Sequence, residues 1–399
     1  MAKGRRRRRL GGLLLLSCLL ILPITSRGTT LEQINHRILT LTPLMIDPLN
    51  LPTAMDRDVL MIFLAVEQLP PLQPRYFKDG SPVPLSFYRD LKRDMALDRV
   101  SSSVPLTPAL VIRPTLLRGL PTDEALFESP EQARSGEIDL NLYSLLPPGT
   151  PLALAHTTRD GRWAFALSTY NPGWVSTKDL VTTSWENLKG YVKHRPFVVV
   201  TAPHCPVFSS PLKGNTPVFT VPMGTRLPLT GVTMGFYRVL LPSPSSPRPW
   251  RTAYIPGRLA VRGYLPFNGE TIVDQATNFL GEPYSWGGRK GVDCSLLVRE
   301  VFATTGVILP RNSAQQGNIG EILWTPDSKE TLYEALIEAP PGRTLLFLQG
   351  HVMIYLGRKD GEFKVIHSLH TWQGQEINGV VITPLDPFKD RVIRAVIVP

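Results

Sequence analysis

The chain has 399 residues, 43% of them hydrophobic and 19% charged, with 39 Pro, 31 Gly and three Cys. That supplies enough apolar material for two or three cored domains and excludes a disordered or fibrous protein; three cysteines cannot build a disulfide framework. The net charge of +10 is no nucleic-acid signature, because Lys3, Arg5, Arg6, Arg7, Arg8, Arg9 and Arg27 place +7 of it in the acid-free residues 1–27.

Behind the basic run, Leu10 to Ile24 is apolar and Thr25, Ser26 and Arg27 follow. A charged start, a short apolar run and a small polar exit describe a secretory signal over 1–27, and hence export to the periplasm or cell envelope. The apolar run is short of the about 20 residues a bilayer span needs, so a retained membrane anchor is the second choice. Cys18 follows Leu16 and Ser17 as in a lipoprotein site, but the apolar run continues past it. Spacing leaves open whether Cys18 is lipidated or departs with a cleaved signal.

Residues 28–105 contain helical stretches such as Asp56 to Glu67 and Pro-rich connections such as Leu69-Pro70-Pro71-Leu72, and read as a scaffold segment. From 106 to 190 the pattern turns to short β runs, with Arg159-Asp160-Gly161 and Asn171-Pro172-Gly173 as hairpin signals. Residues 191–265 repeat that style, so two small β-barrels are expected in succession. Residues 266–399 mix the two grammars. A helix is expected over Thr271–Leu280 and another from Cys294 to about Gly306. Strands follow at Thr344–Leu348, His351–Leu356 and Phe363–Leu369, with Asp360-Gly361 as the last turn. Helices followed by an antiparallel sheet is α+β architecture.

Cys294 is the outstanding position. It ends a glycine-rich approach, Tyr284 to Asp293, where a helix begins. Unsatisfied N–H groups and the positive end of the helix dipole favour a thiolate there, and the thiolate is the nucleophile. Cys205, in Ala202-Pro203-His204-Cys205-Pro206, has no helix to activate it and reads as a buried small hydrophobe. A cysteine nucleophile needs a base, and His351 opens a strand directly after Gly350. The residue that would orient its imidazole is His367 or His370. A strict two-residue turn at Asp360-Gly361 sets His351 opposite His370, whereas a bulge brings His367 to the side of His351. Periodicity leaves the two open. No His, Cys or acid spacing suggests a metal site.

Tyr284-x-Trp286-Gly287-Gly288, Asp293-Cys294-Ser295, Leu309-Pro310-Arg311-Asn312-Ser313, Gly350-His351-Val352-x-Ile354-Tyr355-Leu356-Gly357 and Val365-Ile366-His367-Ser368 occur in order. Residues 266–399 thereby resemble the NlpC/p60 family of papain-like cysteine peptidases, and the upstream β units resemble tandem bacterial SH3-like domains behind an N-terminal stabilising segment. The resemblance implies Cys294 as nucleophile, His351 as base and His367 as orienting residue, with His370 as runner-up. It further implies substrate contacts from Asp293, Ser295, Trp286, Arg311 and Ser313, and Tyr170 is a candidate contact from the first barrel. The implied substrate is a peptidoglycan stem peptide or muropeptide fragment with a free N-terminal L-alanine, cut between γ-D-glutamate and the diamino acid by a monomer without cofactor or nucleic-acid partner. Relatives often carry Gly two residues after the cysteine; Leu296 stands there. The rival readings are a non-catalytic peptidoglycan-binding protein and a papain-like amidase or acyltransferase acting on another amide.

Overall fold

The computed structural model describes residues 29–64, 69–136, 138–212, 214–244, 249–372 and 375–399. The signal or anchor expected over 1–27, with Cys18, lies outside the described residues. Among those described, no helix is long and apolar enough to cross a membrane.

The architecture is α+β, arranged as three antiparallel β units and an N-terminal helical segment. The first unit is a seven-stranded sheet in the order 142–146, 115–118, 173–176, 163–167, 151–157, 107–111, 180–182. Its core holds Trp163, Phe165 and Trp174, the last two ring-to-ring at 5.4 Å. The second unit is a five-stranded sheet in the order 250–256, 236–242, 226–233, 197–200, 260–262, beside the strand pair 204–207 and 219–222. The Pro-rich stretch from Ser243 to Pro249 lies between two of its strands, and 245–248 are outside the described residues.

The third unit is a six-stranded sheet in the order 321–324, 394–397, 344–348, 351–359, 362–372, 375–384. Helix Cys294–Ala303 packs on it, and helix Gly269–Thr277 packs on that helix. Three of its strands have no counterpart in the sequence expectation. Glu321–Trp324, Gln375–Pro384 and Arg394–Ile397 lack the period-2 alternation that marks a half-buried strand, and only the tertiary partners reveal them. The first helix stops at Thr277 rather than Leu280, and the chain then turns through Gly281 at φ 82°.

The N-terminal segment ties these units together. Helix Leu31–Leu41 starts at a Thr30/Gln33 capping box, and its Ile34 and Ile38 enter the core of the third unit. Asn35 clamps the chain beyond helix Cys294–Ala303: its amide donates to the Gly306 carbonyl, and its carbonyl accepts from the Ile308 N–H, each at 2.9 Å. Leu60 and Leu64, on helix Arg57–Leu64, instead enter the core of the first unit.

Candidate active site

Helix Cys294–Ala303 begins where it does because Asp293 caps it, its Oδ1 accepting the Leu296 N–H at 2.9 Å. Leu297, Val298, Val301 and Phe302 seat the helix in the core, so Cys294 is fixed at its first turn. The approach is equally constrained. Gly287 and Gly288 adopt φ of 72° and 82°, and a Cβ would come within 2.5 Å of Leu142 and 2.3 Å of Leu296, respectively. Leu296 therefore packs, 2% exposed, on the backbone of Gly288.

His351 opens strand His351–Lys359. The turn to strand Glu362–Trp372 is the two-residue Asp360-Gly361 pair, since Lys359 faces Glu362. A bulge then intervenes: Tyr355 pairs with Val365 but Gly357 with Lys364, leaving Leu356 as the extra residue. That one-residue shift brings His367 to the face of His351. His351 Nε2 and His367 Nδ1 lie 2.9 Å apart, and His367 Nε2 lies 3.1 Å from Thr383 Oγ1. The edge of Phe388 meets the His367 ring at 5.1 Å. His370 also borders the cleft, but its ring sits edge-on to Tyr284 at 5.8 Å.

Cys294 and His351 line one cavity of about 730 Å³. With Nε2 of His351 committed to His367, Nδ1 is the ring nitrogen left for the cleft. Burial dominates the protonation of all three groups. Cys294 is 8% exposed, and lost hydration together with the neighbouring Asp293 charge pushes its thiol up to about 12, against the Val352 and Ser295 N–H groups and Arg311, which pull it down. Burial, then the Arg391 charge, pushes His351 down to about 4; burial, then His351, pushes His367 down to about 2. The expected thiolate-favouring effect of the helix start is thus outweighed. Desolvation favours the uncharged form of the thiol and of both imidazoles against the pull of a few N–H dipoles.

Asp293, Ser295, Trp286, Arg311 and Ser313 all line the cavity. Asp293 and Arg311 form a buried ion pair, with Arg311 Nη2 at 2.5 Å from Oδ2 and Nη1 at 3.1 Å from Oδ1. Asp293 also accepts from the Gly287 N–H and the Ser295 hydroxyl, so both of its oxygens are satisfied within the protein. The Trp286 indole N–H donates to the Leu142 carbonyl at 3.0 Å, joining the approach loop to the first β unit.

Tyr170 is a correction. It lines a different cavity, where the Arg299 guanidinium lies 3.9 Å from its ring centre in a cation–π contact. Its neighbours Asn171 and Pro172 reach the cleft instead, together with Tyr143 from the same unit. Tyr284 and Arg391 are further wall residues. Only Tyr284 carried a sequence signal, from its place ahead of Trp286-Gly287-Gly288. Tyr143, Asn171 and Pro172 are brought in by packing between units and Arg391 by the fold of the third unit, neither of which local pattern encodes.

Residues 281–384 match the model of the NlpC/P60 family, and residues 125–176 match that of the SH3 domain of SH3b1 type. The chain carries an NlpC/P60 domain behind an SH3 domain. It is 28% identical over 216 residues to a gamma-D-glutamyl-L-lysine dipeptidyl-peptidase of Bacillus cereus, over 52% of this chain and 59% of the relative. It is 35% identical over 103 residues to the peptidoglycan endopeptidase RipB of Mycobacterium tuberculosis, over 22% of this chain and 39% of that one. The chain thus spans well under two thirds of either relative. Among solved structures, an NlpC/P60 endopeptidase from Photobacterium damselae subsp. piscicida superposes with a TM-score of 0.68 at 17% identity, over 92% of both chains. An NlpC/P60 family protein from Bacillus cereus gives 0.54 at 21% identity, over 73% of this chain and all of the other. Those likenesses concern the fold alone, which is shared over 92% of this chain with the first of the two structures.

Proposed function

We propose that the protein is an exported cysteine peptidase that hydrolyses peptidoglycan stem peptides, cutting the amide between γ-D-glutamate and the diamino acid. The observation that carries this reading is the hydrogen-bonded series His351–His367–Thr383, whose first member shares a cleft with Cys294. His351 donates its Nε2 proton to His367 Nδ1, which keeps Nδ1 of His351 basic and directed to the cleft. As Cys294 attacks the amide carbonyl, His351 takes the thiol proton, so charge develops during attack rather than at rest. N–H groups at the helix start, that of Cys294 included, stabilise the oxyanion. Protonated His351 then hands its proton to the leaving amine, and water hydrolyses the thioester.

The first β unit supports a restriction to short, unattached peptides. Tyr143, Asn171 and Pro172 line the cleft from the first β unit, where a glycan attached to the peptide would have to pass. Asn171 Oδ1 is buried without a hydrogen-bond partner among the described residues, and an ammonium at the free end of the peptide supplies the missing donor. Ser295, Ser313 and Trp286 line the same cleft, and the buried Asp293–Arg311 pair braces its wall.

The purified protein is incubated with L-alanyl-γ-D-glutamyl tripeptides, free and N-acetylated, and the products are read by mass. The expected result is the dipeptide L-alanyl-D-glutamate from the free peptide and a strongly slowed reaction from the acetylated one. Equal turnover of both would favour the amidase or acyltransferase reading. Retained binding without turnover would favour a non-catalytic binding protein.

A further inference from the structure

The charged groups around the cleft do not cancel. Asp293 and Arg311 satisfy one another, whereas Arg391 borders the same cavity, exposed, with no ion pair or hydrogen bond to its guanidinium among the described residues. The two cations serve different sides: the Arg311 charge is felt at Cys294, that of Arg391 at His351. Arg391 is also well aimed. Phe388 and Val392 are buried on either side of it, the Val392 N–H bonds the Lys389 carbonyl at 3.2 Å, and the Ile393 N–H bonds the Phe347 carbonyl at 2.8 Å. The backbone around Arg391 is thereby pinned, and its side chain lines the cleft.

An unneutralised guanidinium fixed beside a substrate cleft is a receptor for a carboxylate. His351 is the group that protonates the leaving amine, so the leaving amino acid lies on its side of the cleft, next to Arg391. We infer that Arg391 recognises a carboxylate carried by the amino acid that leaves, and so selects the substrate on the far side of the scissile bond. This rests on the peptidase reading above. The carboxylate has two sources: the α-carboxylate of a chain-terminal diamino acid, or the side-chain carboxylate of a diamino dicarboxylic acid such as diaminopimelate.

The test compares kcat/KM of the wild type and Arg391→Gln on three peptides: L-alanyl-γ-D-glutamyl-L-lysine, its C-terminal carboxamide, and the corresponding diaminopimelate peptide amidated at the α position. The wild type should cleave a carboxylate-bearing peptide, the lysine acid or the diaminopimelate amide, roughly tenfold faster than the lysine amide, and that ratio should fall to about one in the variant. If the diaminopimelate amide matches the lysine acid, the side-chain carboxylate is accepted as well; if it behaves as the lysine amide, the α-carboxylate is the group read. A merely electrostatic influence of Arg391 on His351 would change all three peptides alike and leave the ratio intact, which overturns the inference, as does a wild type with no preference. Failure of the wild type to cleave any of the three removes the peptidase reading itself, an outcome distinct from cleavage without preference.

Discussion

Cys205 and Cys294 are the two described cysteines, both free, both buried, and both pushed up to about 12 by lost hydration. Cys205 sits on strand His204–Val207 among Val198, Val200, Val207, Val221 and Leu227, fully enclosed. Cys294 opens a helix, borders a cavity of about 730 Å³ and shares it with His351. Depressed acidity therefore does not separate an inert thiol from a usable one in this molecule. Access and a neighbouring base do. The difference is positional: a strand interior offers no cavity, while a capped helix start behind a glycine-rich loop does.

The contrast breaks most sharply by substitution. Cys294→Ala should remove hydrolysis of a free muropeptide, by a factor on the order of 10³ or more, with the melting temperature nearly unchanged. Cys205→Ala should do the reverse, leaving kcat/KM intact while costing roughly 1–2 kcal/mol of stability through the small cavity it opens. Turnover assays and urea melts on both variants check the pair. Activity surviving in the first would remove the nucleophile assignment.

Titration sharpens the comparison further. His351 must be neutral to accept a proton, so kcat/KM should fall only as pH drops through about 4 rather than near the ordinary 6.5. Stability moves earlier. Between pH 6.5 and about 4 the unfolded chain protonates its His351 and the folded one does not, so the unfolded state binds more protons and stability declines as pH falls through that window. His367 extends the same decline toward about 2. On the alkaline side, iodoacetamide labelling of Cys294 should keep rising beyond pH 9 with no neutral plateau. A plateau near neutral pH would instead indicate a preformed thiolate–imidazolium pair.

What the sequence made legible followed range. The Asp160-Gly161 and Asp360-Gly361 hairpins and the helix starting at Cys294 are local, and the structure has all three. Cys294, His351 and the Asp293-Ser295 flank stood out because short motifs carry their chemistry. The choice between His367 and His370 could not be made locally, since it turns on a bulge at Leu356 that no residue type there announces. Tyr170 was misjudged for a related reason: Arg299, 129 positions away, captures its ring. Tyr143, Asn171 and Arg391 reach the cleft only through the packing of distant segments. The protonation of Cys294 was only half legible, because a helix dipole is visible in sequence and desolvation is not.

The smallest effect concerns the far end of the histidine series. His351 Nε2–H donating to His367 Nδ1 requires His367 to carry its own proton on Nε2, and Thr383 Oγ1, 3.1 Å away, is the acceptor that holds it there. Thr383 touches no substrate and acts through His367, so it is a positioning residue. Thr383→Val keeps the shape of the side chain and removes the acceptor, which should lower kcat several-fold, on the order of tenfold at most, with KM little changed. Thr383→Ser should restore it. Nitrogen-15 shifts of the His367 ring should move toward the other tautomer in the valine variant alone, a change that a loss of strand packing would not produce. If both variants lose activity equally, Thr383 serves the sheet and not the imidazole, and the series ends at His367.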